Sequence, residues 1–488
     1  MKFPCCPTTL VFLVATGLIQ TLSGSTVSNS NDSGPGSLRN AIASAVNGET
    51  IDFNPALNGV TITLTSGSLA ITGLTVEIDA TSLADGVSLS GNNLSRVLLI
   101  TGSSNATLRN LRIRNGQATE GNGGGVFLAT GNLVMVGCTV SNCFSTYNGG
   151  GMFLAFGTTS TFDRCRVVAN TAGNLGYGGG FFVSGAASTL IRNCIVSGNS
   201  NPFGGGIYTS NSSPALVNCT IQGNSGGGLR NETNSDPVIT NSIIWGNTNT
   251  GNTASQQIKN TNGSNPTISH SLIQGASGSA SFADGDSTVW ASGNLNGETL
   301  GNDPKFASAI SGTSAPHSGG DLRLLATSPA LNIGNNLANV GPLDFAGTQR
   351  IKSGVVDFGS YEGGYVTFAS LYPALSQLGD ENRNGISNYL EYCMGFNPSG
   401  TNALPAPSLS KAGNITLLTV NRRSNALDFT SVVQTNVTLN GQWSPIARNI
   451  HFTTVAATSV TADRDSLVYQ LITTEPRRFY RQAFSGVN

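Results

Sequence analysis

Charge is scarce in this chain. Only 10% of its 488 residues are Asp, Glu, Lys or Arg, against about 25% in an average globular domain. The 24 basic and 25 acidic side chains leave a formal net charge of −1, so no global field calls for nucleic acid or a membrane surface. The three histidines, His270, His317 and His451, stand far apart, and each reads as an isolated surface residue. Beyond the N-terminus no apolar run is long enough to cross a bilayer. The one apolar run, from about Leu10 to Leu22 behind Lys2, is short for a span and lacks a stop-transfer flank. With Leu22-Ser23-Gly24 as a cleavage region, residues 1–24 read as a secretory signal, and the protein is expected to be secreted or displayed on the cell surface. No cysteine stands at that cleavage region, so the lipoprotein arrangement is missing too.

Glycine, in contrast, is nearly twice as common as usual, 62 residues. Much of it falls in five triplets, Gly123–Gly125, Gly149–Gly151, Gly178–Gly180, Gly204–Gly206 and Gly226–Gly228, whose starts step by 26, 29, 26 and 22 residues. Each triplet is followed by an apolar pair, a turn and a short run: CTVSNC from Cys138, CRVVAN from Cys165, CIVSGN from Cys194, CTIQGN from Cys219 and SIIWGN from Ser242. These runs step by 27, 29, 25 and 23. Two markers drifting together at one period identify a solenoid of stacked coils.

Helical-pair solenoids need about 33 to 47 residues per repeat and a 3.6-residue apolar period. Here the apolar positions alternate, Cys at position one and Val140, Val167, Val196, Ile221 and Ile244 at position three, which is a strand with one buried face. Position six reads Cys143, Asn170, Asn199, Asn224 and Asn247. Asparagine tolerates left-handed turns and stacks its amides in ladders. Coils about 4.8 Å apart, all advancing the same way, make a parallel β-helix, right-handed by the usual rule for parallel connections. The stacked cysteines are expected to be small, buried, mostly unbridged core side chains.

The repeats, with strands ending in Asn and triplets running into pairs such as Ile207-Tyr208, resemble secreted bacterial right-handed β-helix proteins of the polymorphic outer-membrane-repeat type. The opening Asn31-Asp32-Ser33-Gly34-Pro35-Gly36-Ser37-Leu38-Arg39 agrees. The closing run, Ser328-Pro329-Ala330-Leu331, Arg350 and Asp357-Phe358-Gly359-Ser360-Tyr361-Glu362, resembles the choice-of-anchor Q signature. The resemblance covers roughly two-thirds of the chain and implies an all-β fold. The expected organisation is a signal at 1–24, a β-helix over 25–362, a linker over 363–404 and a small antiparallel β domain over 405–488. Ser37 is expected to cap a short helix with Leu38, Ile42, Ala45 and Val46 on one side, closing the first coil. From Thr248 to Glu362 the coils are expected to continue with bulkier excursions.

In the linker, Asp380-Glu381-Asn382-Arg383-Asn384-Gly385-Ile386-Ser387-Asn388-Tyr389-Leu390-Glu391 fits the calcium-loop pattern. Asp380, Asn382, Asn384, the Ile386 carbonyl and Glu391 would supply the oxygens, with Asn388 joining directly or through water. An Asn-rich turn into a helix is the alternative reading. Only two of these ligands are charged, so the expected calcium affinity is weak.

Pectin-cleaving enzymes share the β-helix, and their chemistry needs a recognisable set of side chains. Arg350-Ile351-Lys352 matches the Arg-x-Lys of polygalacturonase-like enzymes, but no adjacent Asp pair, Asn-Thr-Asp or Gly-His-Gly accompanies it. The outward strand positions, such as Arg112, Thr139, Arg166, Ile195, Thr220 and Ile243, hold no carboxylate, as a calcium-dependent lyase site would require. Two features favour binding instead. If the first residue of each pair after a triplet points inward, then Phe127, Phe153, Phe182 and Tyr208 form an outward stripe able to stack on sugar rings, unless a loop covers it or it turns into the core. Arg112, Arg114 and Arg166 share one face and could meet an acidic glycan. The expected function is therefore a structural or adhesive β-helix protein without a recognisable active site, with carbohydrate as a candidate ligand; the alternative is a divergent polysaccharide lyase or glycoside hydrolase acting on acidic, pectin-like polysaccharide.

Overall fold

The computed structural model describes residues 24–249, 251–282 and 286–366, Cys393, and the backbone of strands between 408 and 486. Three parallel sheets run the length of the coil stack. Sheet 1 has eleven strands, from Ser25–Val27 to Val289–Trp290; sheet 2 has nine, from Thr61–Thr63 to Leu272–Ile273; sheet 3 has eight, from Leu69–Thr72 to Ile258–Asn260. One coil passes through Val126–Leu128 in sheet 3, Gly131–Val136 in sheet 1 and Thr139–Ser141 in sheet 2, then returns to Met152–Leu154 in sheet 3.

Register follows the sequence columns. Val140, Val167, Val196, Ile221 and Ile244 are partners in successive coils and all lie in one apolar core with Cys138, Cys165, Cys194 and Cys219. All four cysteines and Cys143 are unbridged, and burial pushes the Cys143 and Cys219 thiols up to about 12. The asparagine ladder forms as expected. Asn170 Nδ2 donates to Asn199 Oδ1 (3.0 Å), Asn199 Nδ2 to Asn224 Oδ1 (3.0 Å), Asn224 Nδ2 to Asn247 Oδ1 (2.8 Å), and Asn247 Nδ2 to Gln257 Oε1 (2.8 Å). The left-handed turn, however, sits one residue earlier, at Asn142, Ala169, Gly198, Gly223 and Gly246. The ladder asparagines are needed for their amides, not for their backbone.

The triplets have two separate causes. Gly149, like the first member of each other triplet, has a left-handed φ, here 66°. Gly151 sits so close to the next coil that a Cβ would fall 2.7 Å from Gly180 O.

A helix over Leu38–Ser44 closes the first coil, with Ser37 as its N-cap and Leu38, Ala41 and Ile42 buried. It ends sooner than expected, with Ala45 as the C-cap; Ala45 is still partly buried against the core, whereas Val46 is 60% exposed and does not form part of the buried face. The capping loop is fastened by Asp32, which accepts from Arg39 Nη2 (2.7 Å) and Ser66 N (2.8 Å) as well as from Ser66 Oγ. Desolvation alone would raise the Asp32 carboxyl, but the bonds from Ser66 and Arg39 hold it down at about 2. A depressed folded pKa makes this contribution complete above the unfolded value of 3.8 and removes it as pH falls from there to about 2. Hydrogen-exchange protection of the cap should therefore fall between pH 4 and 2 in the native protein, and the fall should be smaller in Asp32→Asn. Equal slopes in both proteins would contradict the assignment.

The coils continue through Val289–Trp290 only to about Leu295, which still bridges Leu272 in parallel. The expected further coils up to Glu362 do not form. Residues 303–366 instead turn back and lie along the outer side of sheet 2, where Phe306–Ser308 and Asp321–Leu324 pair antiparallel. The physical reason is apolar: the outward Val168, Ile195, Ile243 and Leu272 pack with Phe306, Leu322, Leu324, Ala330 and Phe358 in a second core. Polar bonds fix the register, with Ser360 N donating to Thr220 Oγ1 (3.0 Å), Gly359 N to Asn241 O (2.7 Å) and Asn218 Nδ2 to Asp357 O (2.8 Å). Towards the C-terminus, Ser408–Ala412, Ile415–Arg423, Arg464–Leu471 and Phe452–Thr461 form a four-stranded antiparallel sheet. Ser444–Pro445, Phe429–Asn436 and Phe479–Gly486 form a three-stranded one.

Candidate functional site

After each triplet the first residue of the pair, Val126, Met152, Phe181, Ile207 or Leu229, enters the main core. The second turns outward. Phe127, Phe153, Phe182 and Tyr208 stack up the helix with centroid separations of 5.2, 5.2 and 5.0 Å, the last two pairs face to face. The stripe is not an open platform, because Phe153, Phe182 and Tyr208 are 9%, 7% and 3% exposed. Tyr177 closes over it, 4.6 Å from Tyr208 and 6.3 Å from Phe182, with Phe203 a further 5.7 Å away. Arg96 covers Phe127, and Arg230 lies over Phe203. Tyr208 donates to Glu232 (2.5 Å), which also pairs with Arg230 (2.6 Å), so this corner carries its own satisfied charges.

The rings that meet solvent are Tyr147, Tyr177 and Phe203, 43%, 38% and 41% exposed. They lie on three successive coils: Tyr177 N donates to Asn148 Oδ1 (3.0 Å), and Gly178 N to Phe203 O (3.4 Å). The corner therefore has an inner stack of aromatics with Tyr177 packed on it and Phe203 against Tyr177. The outer layer went unremarked in the sequence, although each of its rings stands one or two residues ahead of a triplet.

The three arginines do not form one patch. Arg112 and Arg166 share a column with Thr139 between them, and Arg112 is exposed. Arg114 Nη2 donates to Thr61 Oγ1 (2.6 Å), two coils back. Arg166 alone is drawn under the closing segment, where Nη2 donates to Ser318 O (2.7 Å) while Nε is buried with no partner. There it lines a cleft of about 580 Å3 with Asp321, Arg323, Phe345, Tyr361 and Tyr365. A second cleft of about 620 Å3, lined by Trp245, Gln274 and Glu298 among others, opens at the far end of the same face.

Arg350 of the Arg-x-Lys match is 1% exposed and is a fastener within the closing segment. Its Nη1 donates to Ser360 O (3.0 Å), and its Nη2 to Asp357 O (2.9 Å) and Gly359 O (2.8 Å). Glu362 lies 3.7 Å from Nε. Desolvation, with Asp357 beside it, pushes the Glu362 carboxyl up to about 7, and burial likewise lowers Arg350. Both shifts express the cost of burying an ion pair, offset here by hydrogen bonds to backbone.

Two histidines are less bland than expected. His270 is half-buried beside Gly293, and His317 is half-buried against the turns at Gly198 and Gly223, where burial lowers its pKa. His451 lies outside the described residues, as do all the calcium-loop positions, Asp380, Asn382, Asn384, Ile386, Asn388 and Glu391. Among the described residues no group of three or more His, Cys, Asp or Glu side chains is placed to hold a metal ion.

The right-handed β-helix region family matches residues 58–215 and 178–317, together more than half of the chain. The chain belongs to the right-handed β-helix family. No curated protein matches it. Among solved structures this β-helix protein is similar to the crystal structure of pectate lyase Pel9A, at 13% identity and a TM-score of 0.42, over 70% of this chain and 97% of that one.

Proposed function

We propose that this β-helix protein is an exported, non-catalytic module that holds polysaccharide along the ridge of Tyr147, Tyr177 and Phe203. The observation that carries the reading is the two-layered corner itself. Exposed rings normally adapt to their surroundings, but Tyr177, the middle ring, is braced from beneath by Phe182 and Tyr208 of a stack at 5.0 to 5.2 Å spacing, so an apolar surface is maintained without a ligand. Successive coils repeat that surface at about 4.8 Å along the helix, which suits a linear chain of sugar rings more than a single small molecule. The signal-like run at 1–24 and the likeness of the flanks to the outer-membrane-repeat and choice-of-anchor Q types support export and surface display. A divergent lyase or hydrolase would need several convergent charged groups in an open groove, whereas the densest charged cluster described, around Arg350, is sealed, and the cleft at Arg166 holds a single carboxylate, Asp321, already paired with Arg323.

The test is a double substitution, Tyr177→Ala with Phe203→Ala, assayed by affinity electrophoresis in gels containing polysaccharide. Loss of two stacking rings should weaken retardation by roughly tenfold or more with the coil stack's circular dichroism unchanged. Unaltered retardation in a folded double variant would refute the ridge as the binding surface.

A further inference from the structure

The cleft beneath the closing segment is built differently from the ridge, and its chemistry points elsewhere. It lies on sheet 2, between the outward side of Arg166 and Ile195 and the returning residues 320–365. Its two guanidinium groups are in unequal states. Arg323 is spoken for: Nε donates to Asp321 Oδ1 (2.9 Å), Nη2 to Asp321 Oδ2 (2.6 Å), and its plane lies 5.0 Å over the Tyr365 ring. Arg166 has a single bond, from Nη2 to Ser318 O, which fixes the plane of the guanidinium and leaves Nε buried and unpaired. A buried donor without a partner is costly unless a ligand supplies one. The groups lining the cleft, Arg166 and Arg323 against Asp321, leave one positive charge unbalanced. Asp344, buried behind the cleft, accepts from Thr348 N (2.7 Å), Thr348 Oγ1 (3.0 Å) and Glu362 N (3.0 Å) and faces the Arg350 cation.

The rest of the cleft is aromatic. Phe345 meets Tyr361 edge to face at 5.3 Å, and Tyr361 meets Tyr365 at 6.3 Å. Burial and the neighbouring Asp321 charge push the Tyr361 phenol up to about 12, so it stays protonated and able to donate. A volume of about 580 Å3 falls within the usual range for small-ligand sites.

We infer that this cleft binds a carboxylate carried on a six-membered ring, Arg166 receiving the carboxylate and Phe345, Tyr361 and Tyr365 receiving the ring. A planar carboxylate suits the in-plane donors of a fixed guanidinium better than a spherical anion does. Ring-borne carboxylates come from uronic sugars or from aromatic acids, and the site's chemistry is shared by both. The inference does not rest on the ridge, which stands on the turns leading into sheet 3, and it stands if the ridge fails.

The test is calorimetric titration of the full chain at low salt with methyl glucuronide, its methyl ester and benzoate. At least one acid should bind saturably, and Arg166→Gln should weaken that binding by about tenfold or more while thermal unfolding stays as in the native protein. The ester should bind at least about tenfold more weakly than methyl glucuronide if the sugar acid is the ligand; preference for benzoate would support the site and assign it to aromatic acids. Absence of saturable binding by either acid, or equal binding by Arg166→Gln, would overturn the proposal. If Arg166→Gln fails to fold, added chloride decides with native protein alone: competition that weakens the acids supports the charge-dependent site, and indifference to salt overturns it.

Discussion

Arg350→Met is expected to release the closing segment from the outer face of sheet 2 and to destabilise it by about 3–5 kcal/mol, the usual effect of breaking one side of a buried ion pair. The substitution nearly conserves side-chain volume, so packing is not the cause. It strips three carbonyls, Asp357 O, Gly359 O and Ser360 O, of their donors and leaves Glu362, 1% exposed, without its cation. Those carbonyls belong to the turn that docks on Thr220 and Asn241, so the loss is transmitted to the contact between segment and coils. The coil core has its own cohesion, and the effect should be confined. Hydrogen exchange would show this as faster exchange across residues 330–362, with protection retained at Val167, Val196 and Ile221. Unchanged exchange across 330–362 would mean that the apolar contacts of Phe358 and Ala330 hold the segment by themselves.

Asn199→Ala is expected to have a comparable effect, about 3 kcal/mol or more, in the coils themselves. Asn199 sits in the middle of the ladder and makes four bonds. Its oxygen accepts from Asn170 N and Nδ2, both at 3.0 Å, and its amide donates to Val167 O (2.9 Å) and Asn224 Oδ1 (3.0 Å). Alanine leaves these partners buried and unpaired, at about 1–3 kcal/mol for each group that water does not reach. Because each coil touches only its neighbours, the damage should appear as a weakened stretch around residues 165–225 and not as uniform softening. Chemical denaturation should show a lower midpoint, with a broadened transition. A midpoint shift equivalent to less than about 1 kcal/mol would show that the ladder is dispensable.

The coils were legible because their causes are local. A period-two pattern from Cys138 through Ile244 sets which side chains face inward, and Gly151 must lack a Cβ because the next coil passes 2.7 Å from where it would be. The left-handed position was misplaced by one residue because Asn satisfies both a turn and a ladder, and its identity does not say which. The return of residues 303–366 was not legible in the same way. Its partners are some 140 residues away, as Ser360 is from Thr220, and no short-range period encodes such a contact. A trace of it was nonetheless present: Ile195 and Ile243 stood in an outward column where a solvated coil would carry polar residues, and they are buried beneath the segment. The aromatic stripe was legible in its orientation but not in its covering, which the sequence left open, because Tyr177 and Phe203 come from turns whose path over the neighbouring coils depends on tertiary packing. Arg166 was the one arginine of the three drawn into a cleft, and that again depended on the returning chain.

The most direct test of the account is to run the native protein through gels containing neutral and acidic polysaccharides while assaying the same mixtures for new reducing ends and unsaturated products. The account predicts retardation by at least one polysaccharide and no new chain ends in any. New ends generated by the protein, or free migration through every gel, would contradict it.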